Sequence, residues 1–263
     1  FAGIHYFACR EAEERGPLTW PEGNGWLAKR LLEIAGPRVR TGAPVHRIAR
    51  HDRGLSVACG DALWLADVVI WAAPTFVAPY VVEGFQRPRA FQYSPWLTAN
   101  LTLERPPRER GLEMAWDNVI FDSPALGYVV ATHQDIRTRS DRTVLTFYWA
   151  LAEGTPADNR RALLARDWAS WQRAILGDLS RAHPDLRDCV SRIDIMRLGH
   201  AMIRPAVGFL FSEERRRMAD LAVNGGPLAP RLLLANSDLS GLSLFEEAQY
   251  RGVMAADRAL ALL

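Results

Sequence analysis

The segment that most constrains the fold is the last one: Leu232-Leu-Leu-Ala-Asn-Ser-Asp238-Leu-Ser-Gly241-Leu-Ser-Leu-Phe245-Glu246-Glu247-Ala248, continuing amphipathically to Leu263. It reads as a short buried strand, a small-residue turn and a terminal helix. Such a strand carries an acidic side chain, Asp238, and several small residues to a helix N-terminus. There, free backbone N–H groups and the positive dipole end can face an anionic or carbonyl-rich ligand. The spacing is equally that of an ordinary strand–turn–helix with a capping serine.

Two other stretches accompany it: Leu18-Thr-Trp-Pro-Glu-Gly23-Asn-Gly25, and Gly42-Ala-Pro-Val45-His-Arg-Ile48 through Asp67-Val-Val-Ile-Trp71-Ala-Ala-Pro74. In this order the three resemble the flavin-containing amine oxidase and protoporphyrinogen oxidase superfamily, over roughly residues 18 to 80 and 229 to 263. The resemblance implies FAD as cofactor. It implies that the backbone of Val45 meets the adenine, and that the chain passes the cofactor at Ala72, Ala73 and Pro74. It puts Asp238 at the ribityl or pyrophosphate region beside Gly241, and a backbone N–H near Phe245 and Glu246 against a flavin carbonyl.

Members of that superfamily begin with a strand–G-x-G-x-x-G–helix unit that seats the pyrophosphate on a helix N-terminus. This chain starts at Phe1-Ala-Gly-Ile-His without one, and without an initiator Met. It is therefore expected to be the C-terminal portion of a longer polypeptide whose nucleotide-binding half is its partner, with residues 1–17 ending a preceding segment. Gly23-Asn-Gly25-Trp-Leu-Ala28 fits G-x-G-x-x-A as a string, but Leu18 to Glu22 contains a proline and is no apolar strand. Gly23 and Gly25 are read instead as close-approach positions at the start of a helix.

A chain of 263 residues, 49% hydrophobic, holds an ample core in one large domain or two intertwined ones. With a net charge of +2 and arginines interspersed with acids, a nucleic-acid partner is not indicated. The local basic run Arg215-Arg-Arg217 follows Glu213-Glu214 and reads as a solvated loop or helix face. Cys9, Cys59 and Cys189 offer neither a disulfide framework nor zinc spacing, so no metal is expected and a reducing cytoplasm is the default. No apolar run approaches the roughly 20 residues needed to span a bilayer.

Asn24 to Ala35 has helical periodicity, with Trp26, Leu27, Leu31 and Ile34 on one face, and Gly36-Pro37 stops it. Val39 to Ile48, Leu55 to Cys59 and Leu63 to Trp71 read as hairpin-connected strands, with His51 at a hairpin tip. The part from Asp67 to Trp71 is apolar without alternation, the pattern of a strand buried on both faces. From Gln92 onward, Leu97 to Leu103, Met114 to Phe121, Gly127 to Thr132 and Thr143 to Leu151 are strand-like. Asp158 to Arg181 reads as one long helix, with Leu163, Leu164, Trp168, Trp171, Ile175 and Leu179 as its apolar stripe and arginines opposite. Asp188 to Met196 returns as a strand.

Aromatic walls with a few polar groups make small-molecule pockets, and the middle region supplies both. Trp116, Asn118, Tyr128, His133 and Tyr148 are candidate substrate contacts there, with Trp96, Asn100 and Trp149 near them; core packing is the alternative for each. His200, in Gly199-His-Ala-Met, is the other histidine expected near a cavity, and Arg204 can bind a substrate carboxylate bidentately. The superfamily's amine-oxidising branch has a lysine near the flavin and an aromatic cage. Here the sole lysine, Lys29, falls on a polar helix face and Leu244 stands at a cage position, which points away from a standard amine oxidase.

The expected fold is α+β: a mostly antiparallel substrate-domain sheet with helices over residues 81–228, plus C-terminal pieces of a flavin-binding α/β domain from 18–80 and 229–263. The expected function is FAD-dependent oxidation of a small molecule. A non-redox flavoprotein such as an isomerase or mutase is the first alternative, and a binding module lacking the nucleotide-binding half the second. The isolated chain is expected to bind FAD weakly or not at all.

Overall fold

The computed structural model describes residues 20, 22–109, 111, 113–134, 141–224 and 227–263. The assignment of residues 1–17 and the thiol of Cys9 lie outside the described residues, as does the side chain of His133. The architecture is α+β, with antiparallel sheets and one short parallel pair.

Helix α1 (Gly25–Ala35) ends at Gly36, whose φ of +56° and N–H bond to the Leu32 carbonyl close the last turn. Its apolar stripe is uncovered among the described residues: Leu31, Leu32 and Ile34 are 48%, 51% and 78% exposed. Trp26 stacks on Trp20 at 4.6 Å. Strands β1 (Val45–His51), β2 (Gly54–Cys59) and β3 (Ala62–Ala66) form an antiparallel meander. Gly54 closes the first hairpin at φ +155°, where a Cβ would sit 2.4 Å from the Ala66 carbonyl oxygen. The expected strand from Val39 begins only at Val45, because a 3₁₀ turn over Gly36–Arg38 and a left-handed Gly42 redirect the chain first.

The run Leu63 to Trp71 is likewise not one strand. It breaks at Asp67-Val68, and β4 (Val69–Trp71) leaves the meander. Ile70 is 39% exposed, so β4 is not buried on both faces among the described residues. A four-residue helix, α2 (Ala78–Val81), follows.

Strand β5 (Gln92–Leu103) lies inside a five-stranded antiparallel sheet with β6 (Asp117–Asn118), β7 (Gly127–Val130), β8 (Thr143–Ala150) and β9 (Val190–Arg204), in the order β6-β7-β8-β5-β9. Leu97, Leu101, Leu103, Leu145 and Phe147 point to one face and are fully buried. That face is covered by α3 (Pro156–Ala165) and α4 (Trp168–Ala182) through Leu163, Trp171, Ile175 and Leu179. Each such side chain contributes about 1.5–3 kcal/mol through burial.

The single helix expected over 158–181 is two. Arg166 and Asp167 are extended, and the Asp167 carboxylate accepts the Ser170 N–H at 2.8 Å to start α4, as Thr155 Oγ1 accepts the Asp158 N–H to start α3. Leu164 and Trp168, placed in the stripe by a continuous period, are consequently 55% and 52% exposed. The strand expected over 188–196 runs on to Arg204, after the short α5 (Leu186–Cys189). Between Ser94↔Met202 and Trp96↔Leu198, β9 uses two more residues than β5, a bulge at Gly199–Ala201 that re-aims His200.

After β9, helix α6 (Glu213–Asn224) carries Arg215-Arg-Arg217. Strand β10 (Leu232–Leu234) then pairs in parallel with β4, Leu232↔Val69 through Leu234↔Trp71. The chain ends in α7 (Phe245–Leu262). A second core joins Ile48, Leu55, Trp71, Phe91, Tyr93, Ile203, Phe209, Leu232 and Leu239, so β5 and β9 run through both cores. Among the described residues, no helix is long and apolar enough to cross a membrane and no cluster of metal-ligating side chains forms.

Beneath the helix-covered face, Tyr128 (2% exposed) and His183 (5% exposed) share a 2.5 Å bond from the Tyr128 hydroxyl to the His183 Nε2 atom, its donor set by the tautomer. Burial pushes the tyrosine up to about 12 and the histidine down, so both are neutral at neutral pH. Tyr128→Phe leaves the imidazole without this partner. It is expected to destabilise the fold by about 1–3 kcal/mol, read as a lowered urea midpoint with an unchanged slope.

Candidate functional site

Strands β4 and β10 deliver the chain to one place, and buried polar side chains stitch their exits together. The Ala235 N–H donates to the Trp71 carbonyl at 2.9 Å, which extends the parallel pairing by one residue. Asn236 Nδ2 then donates to the Ala73 carbonyl at 3.0 Å, and Thr75 Oγ1 donates to Asn236 Oδ1 at 3.2 Å. Asp238 Oδ2 accepts twice, from the Thr75 N–H at 2.8 Å and from the Tyr93 hydroxyl at 2.7 Å. Thr75, Asn236 and Asp238 are all buried. Burial, and then the Asp238 charge, push the Tyr93 phenol far above its ordinary value, so it stays a proton donor.

Asp238 is the second residue of a 3₁₀ turn over Ser237–Ser240 that ends at Gly241, with φ +73°. A Cβ there would lie 2.4 Å from Phe209 Cε1, so the glycine is required by the ring packed on it as well as by its backbone. Ser243 Oγ accepts the Ile203 N–H at 3.0 Å, which ties the turn to β9. Helix α7 begins behind Leu244, an extended N-cap that supplies no side-chain acceptor. Its first-turn N–H groups therefore have no side-chain cap, while Glu246 and Glu247 offset part of the dipole field.

The expected cofactor contacts fall out as follows. Ala72 and Pro74 are exposed on the rim of the β4 exit, and the Ala73 carbonyl is engaged by Asn236. Asp238 is turned inward as the staple of the turn, and the N–H groups of Phe245 and Glu246 stand at the head of α7. Val45 lies apart, in an open depression of about 320 Å³ with Arg38, Ala43 and Cys59. Arg40 also lines that depression, its guanidinium 4.3 Å from the centre of the Trp64 ring. The buried polar side chains of the turn satisfy one another. The donors left over at the turn are the N–H groups at the head of α7, which lack a side-chain cap. Helix N–H donors of this kind fit a group with carbonyl acceptors, as the ring system of a flavin has.

Beside this turn lies a cavity of about 610 Å³, a size suited to a small molecule. Phe76 stacks on His200 at 4.3 Å, and Tyr93 stands edge-on to both. Tyr93 thus joins the cavity wall to the Asp238 turn. Arg87, Arg160 and Arg204 complete the polar side. Each is held by a neutral acceptor: Arg87 Nη2 by the Tyr80 hydroxyl at 2.6 Å, Arg160 Nε by the Gly199 carbonyl at 2.8 Å, and Arg204 Nη1 by the Gly154 carbonyl at 3.1 Å. Burial, then Arg160 and Arg87, push the His200 imidazole below its ordinary value, so it is neutral at neutral pH.

Of the expected substrate contacts, His200 and Arg204 meet in this cavity. Trp116, Asn118, Tyr128 and Tyr148 do not join them. Trp116 is 51% exposed, and Asn118 braces its own turn by bonds to the Ala115 N–H and carbonyl. Tyr148 lies on the sheet face opposite the helices and donates to Asp117 at 2.6 Å. Tyr128 is in the core, and His133 sits on the 3₁₀ turn Ala131–Gln134. Phe76, Tyr93, Arg87 and Arg160 were not anticipated. Arg160 lies on the polar face of its helix, and a polar face has the same sequence pattern whether it borders water or a cavity.

A model of the family described as flavin containing amine oxidoreductase matches residues 3–260. The chain belongs to this family. Its fold is that of a putative protoporphyrinogen oxidase from Exiguobacterium sp. 255-15 (17% identity, TM-score 0.66, covering 92% of this chain and 52% of that one). It is similarly that of the cyclohexylamine oxidase of Brevibacterium oxydans IH-35A (14% identity, TM-score 0.63, 91% and 53%). A CLA-producing fatty acid isomerase from P. acnes shares it as well (12% identity, TM-score 0.65, 91% and 52%). The chain spans about half the length of each. No curated protein matches it.

Two outcomes are expected of this family member's site. Asp238→Ala strands the Thr75 N–H and the Tyr93 hydroxyl in a buried place and should cost on the order of 3 kcal/mol; Tyr93→Phe, which removes one bond, should cost less. Denaturant titration of both variants checks the order. His183 and His200 both have folded-state values below the ordinary 6.5. The unfolded chain therefore binds more protons there, and the stability they contribute is full above about pH 6.5 and lost as pH falls below it. Urea midpoints at pH 7.5 and 5.5 should show a smaller drop for His200→Gln than for the unaltered protein.

Proposed function

We propose that the protein is an FAD-dependent oxidoreductase acting on a small molecule, with residues 18–80 and 229–263 as its cofactor-binding part and residues 81–228 as its substrate-binding part. The observation that carries this reading is the uncapped head of α7, fixed beside the β4 exit by the Asp238–Thr75–Tyr93 network in a chain of a flavin family. The parallel pairing of β4 with β10 supports the division, since it draws the two sequence-distant segments into one unit.

FAD, when bound, supplies a two-electron acceptor; the rest falls to the protein. The α7 N–H groups would hold a flavin carbonyl, and the positive helix end favours negative charge there. The doubly bonded Asp238 holds the turn in register, so these donors are aligned before a ligand arrives. In the cavity, Phe76 and Tyr93 exclude water and flank the substrate. The neutral His200 has a free lone pair and is the group placed to accept a substrate proton.

Purified from its complete reading frame, the protein should show flavin absorption bands that pass into the small-molecule fraction on denaturation. A colourless protein sinks the reading. Phe245→Pro deletes one N–H at a helix position that tolerates proline. It should weaken FAD about tenfold relative to Phe245→Ala, the equivalent of about 1.4 kcal/mol. The same fold carries a fatty acid isomerase, so consumption of oxygen or of a dye acceptor is the measurement that separates net oxidation from a non-redox flavoprotein.

A further inference from the structure

Several surface arginines among the described residues are neutralised where they stand. Arg105 meets Asp185, Arg142 meets Glu104, Arg181 meets Asp178 and Arg192 meets Asp194, each at 3.1 Å or less. The three that line the 610 Å³ cavity differ. Arg87, Arg160 and Arg204 are each oriented by a hydroxyl or a backbone carbonyl, and among the described residues none has a carboxylate within 4 Å. Their donors are aimed and their charge is left uncompensated. Among the described residues no acidic side chain lines the cavity.

Burial, and after it the Arg87 charge, lowers the proton affinity of Arg160, and burial, then Arg160 and Arg87, lowers that of His200. Arg160 keeps its two terminal nitrogens after bonding Gly199, and Arg204 keeps Nη2 and Nε after bonding Gly154. A planar carboxylate fits such a fork bidentately. Phe76, Phe91 and Tyr93 add aromatic surface to the same lining.

We propose that this cavity binds an organic carboxylate on an aromatic or acyl carrier, its anion at Arg160 and Arg204 and its carrier against Phe76 and Tyr93, and that it rejects amines. The proposal rests on the cavity being the substrate site of the oxidoreductase described above, and gives that substrate its class. An ammonium group would face three like charges there with no counter-ion.

Calorimetric titration of the full-length protein with benzoate, benzamide and benzylamine, three probes of nearly one size, tests the charge. Benzoate is expected to bind at least tenfold more tightly than benzamide, with no measurable binding of benzylamine. Arg160→Gln and Arg204→Gln should each weaken benzoate at least fivefold and leave benzamide unchanged. Arg192→Gln, at a paired surface arginine, should change nothing, and circular dichroism checks that each variant is folded. Benzylamine binding as tightly as benzoate, unchanged benzoate affinity in both cavity variants, or binding of none of the three overturns the proposal. So does inorganic phosphate displacing benzoate at a lower concentration than benzoate's own, which would assign the arginines to a phosphate. Benzoate bound to a protein without flavin bands supports the anion site while sinking the oxidoreductase reading. Flavin bands without benzoate binding do the reverse.

Discussion

One carboxylate organises the part of this molecule where two distant segments meet. Asp238 Oδ2 accepts from the backbone of Thr75, just beyond β4, and from the phenol of Tyr93, at the start of β5. A buried charge is tolerated only where hydrogen bonds replace its lost hydration, so its burial and its two donors are a single requirement. Through Thr75 it fixes the exit of the parallel pair, and through Tyr93 it ties that exit to the strand that carries both hydrophobic cores. The start of α7 and one wall of the cavity then inherit their positions from the same atom.

The same economy appears in the cavity. Its arginines are held by carbonyls and a hydroxyl, acceptors that orient a guanidinium without cancelling its charge. The β9 bulge turns His200 away from the regular alternation and under Phe76, and α3, which starts at the capping Thr155, carries Arg160 in its second turn to the cavity edge. The irregular places in the chain are the ones that build the site. Regular strands and helices around them supply the rigidity that keeps aimed donors aimed.

Family membership and local chemistry bear on different questions. The family match covers nearly the whole chain and speaks for flavin chemistry, and the solved structures, at 12–17% identity, speak for the fold. Neither selects a substrate. The charge lining a cavity does, because an uncompensated cationic wall discriminates between an acid and an amine of equal size by sign alone.

The sequence by itself determined the terminal strand–turn–helix, the antiparallel character of the middle region, and the flavin family, through the segments around Val45, Trp71 and Asp238. The first two are local patterns, written in apolar periodicity and in turn residues that need no distant partner, and the family was read from the resemblance of those segments. It also singled out His200 and Arg204. It could not place Tyr128 in the core or Tyr148 on the open sheet face, because alternation along a strand leaves unsaid which face meets the helices. Nor could it join Tyr93 to Asp238, 145 residues away, or tell Arg160 beside a cavity from an arginine in water. Those were decided by tertiary structure alone, since a hydrogen bond or a shared wall depends on where elements pack, and packing depends on contacts that no local period records.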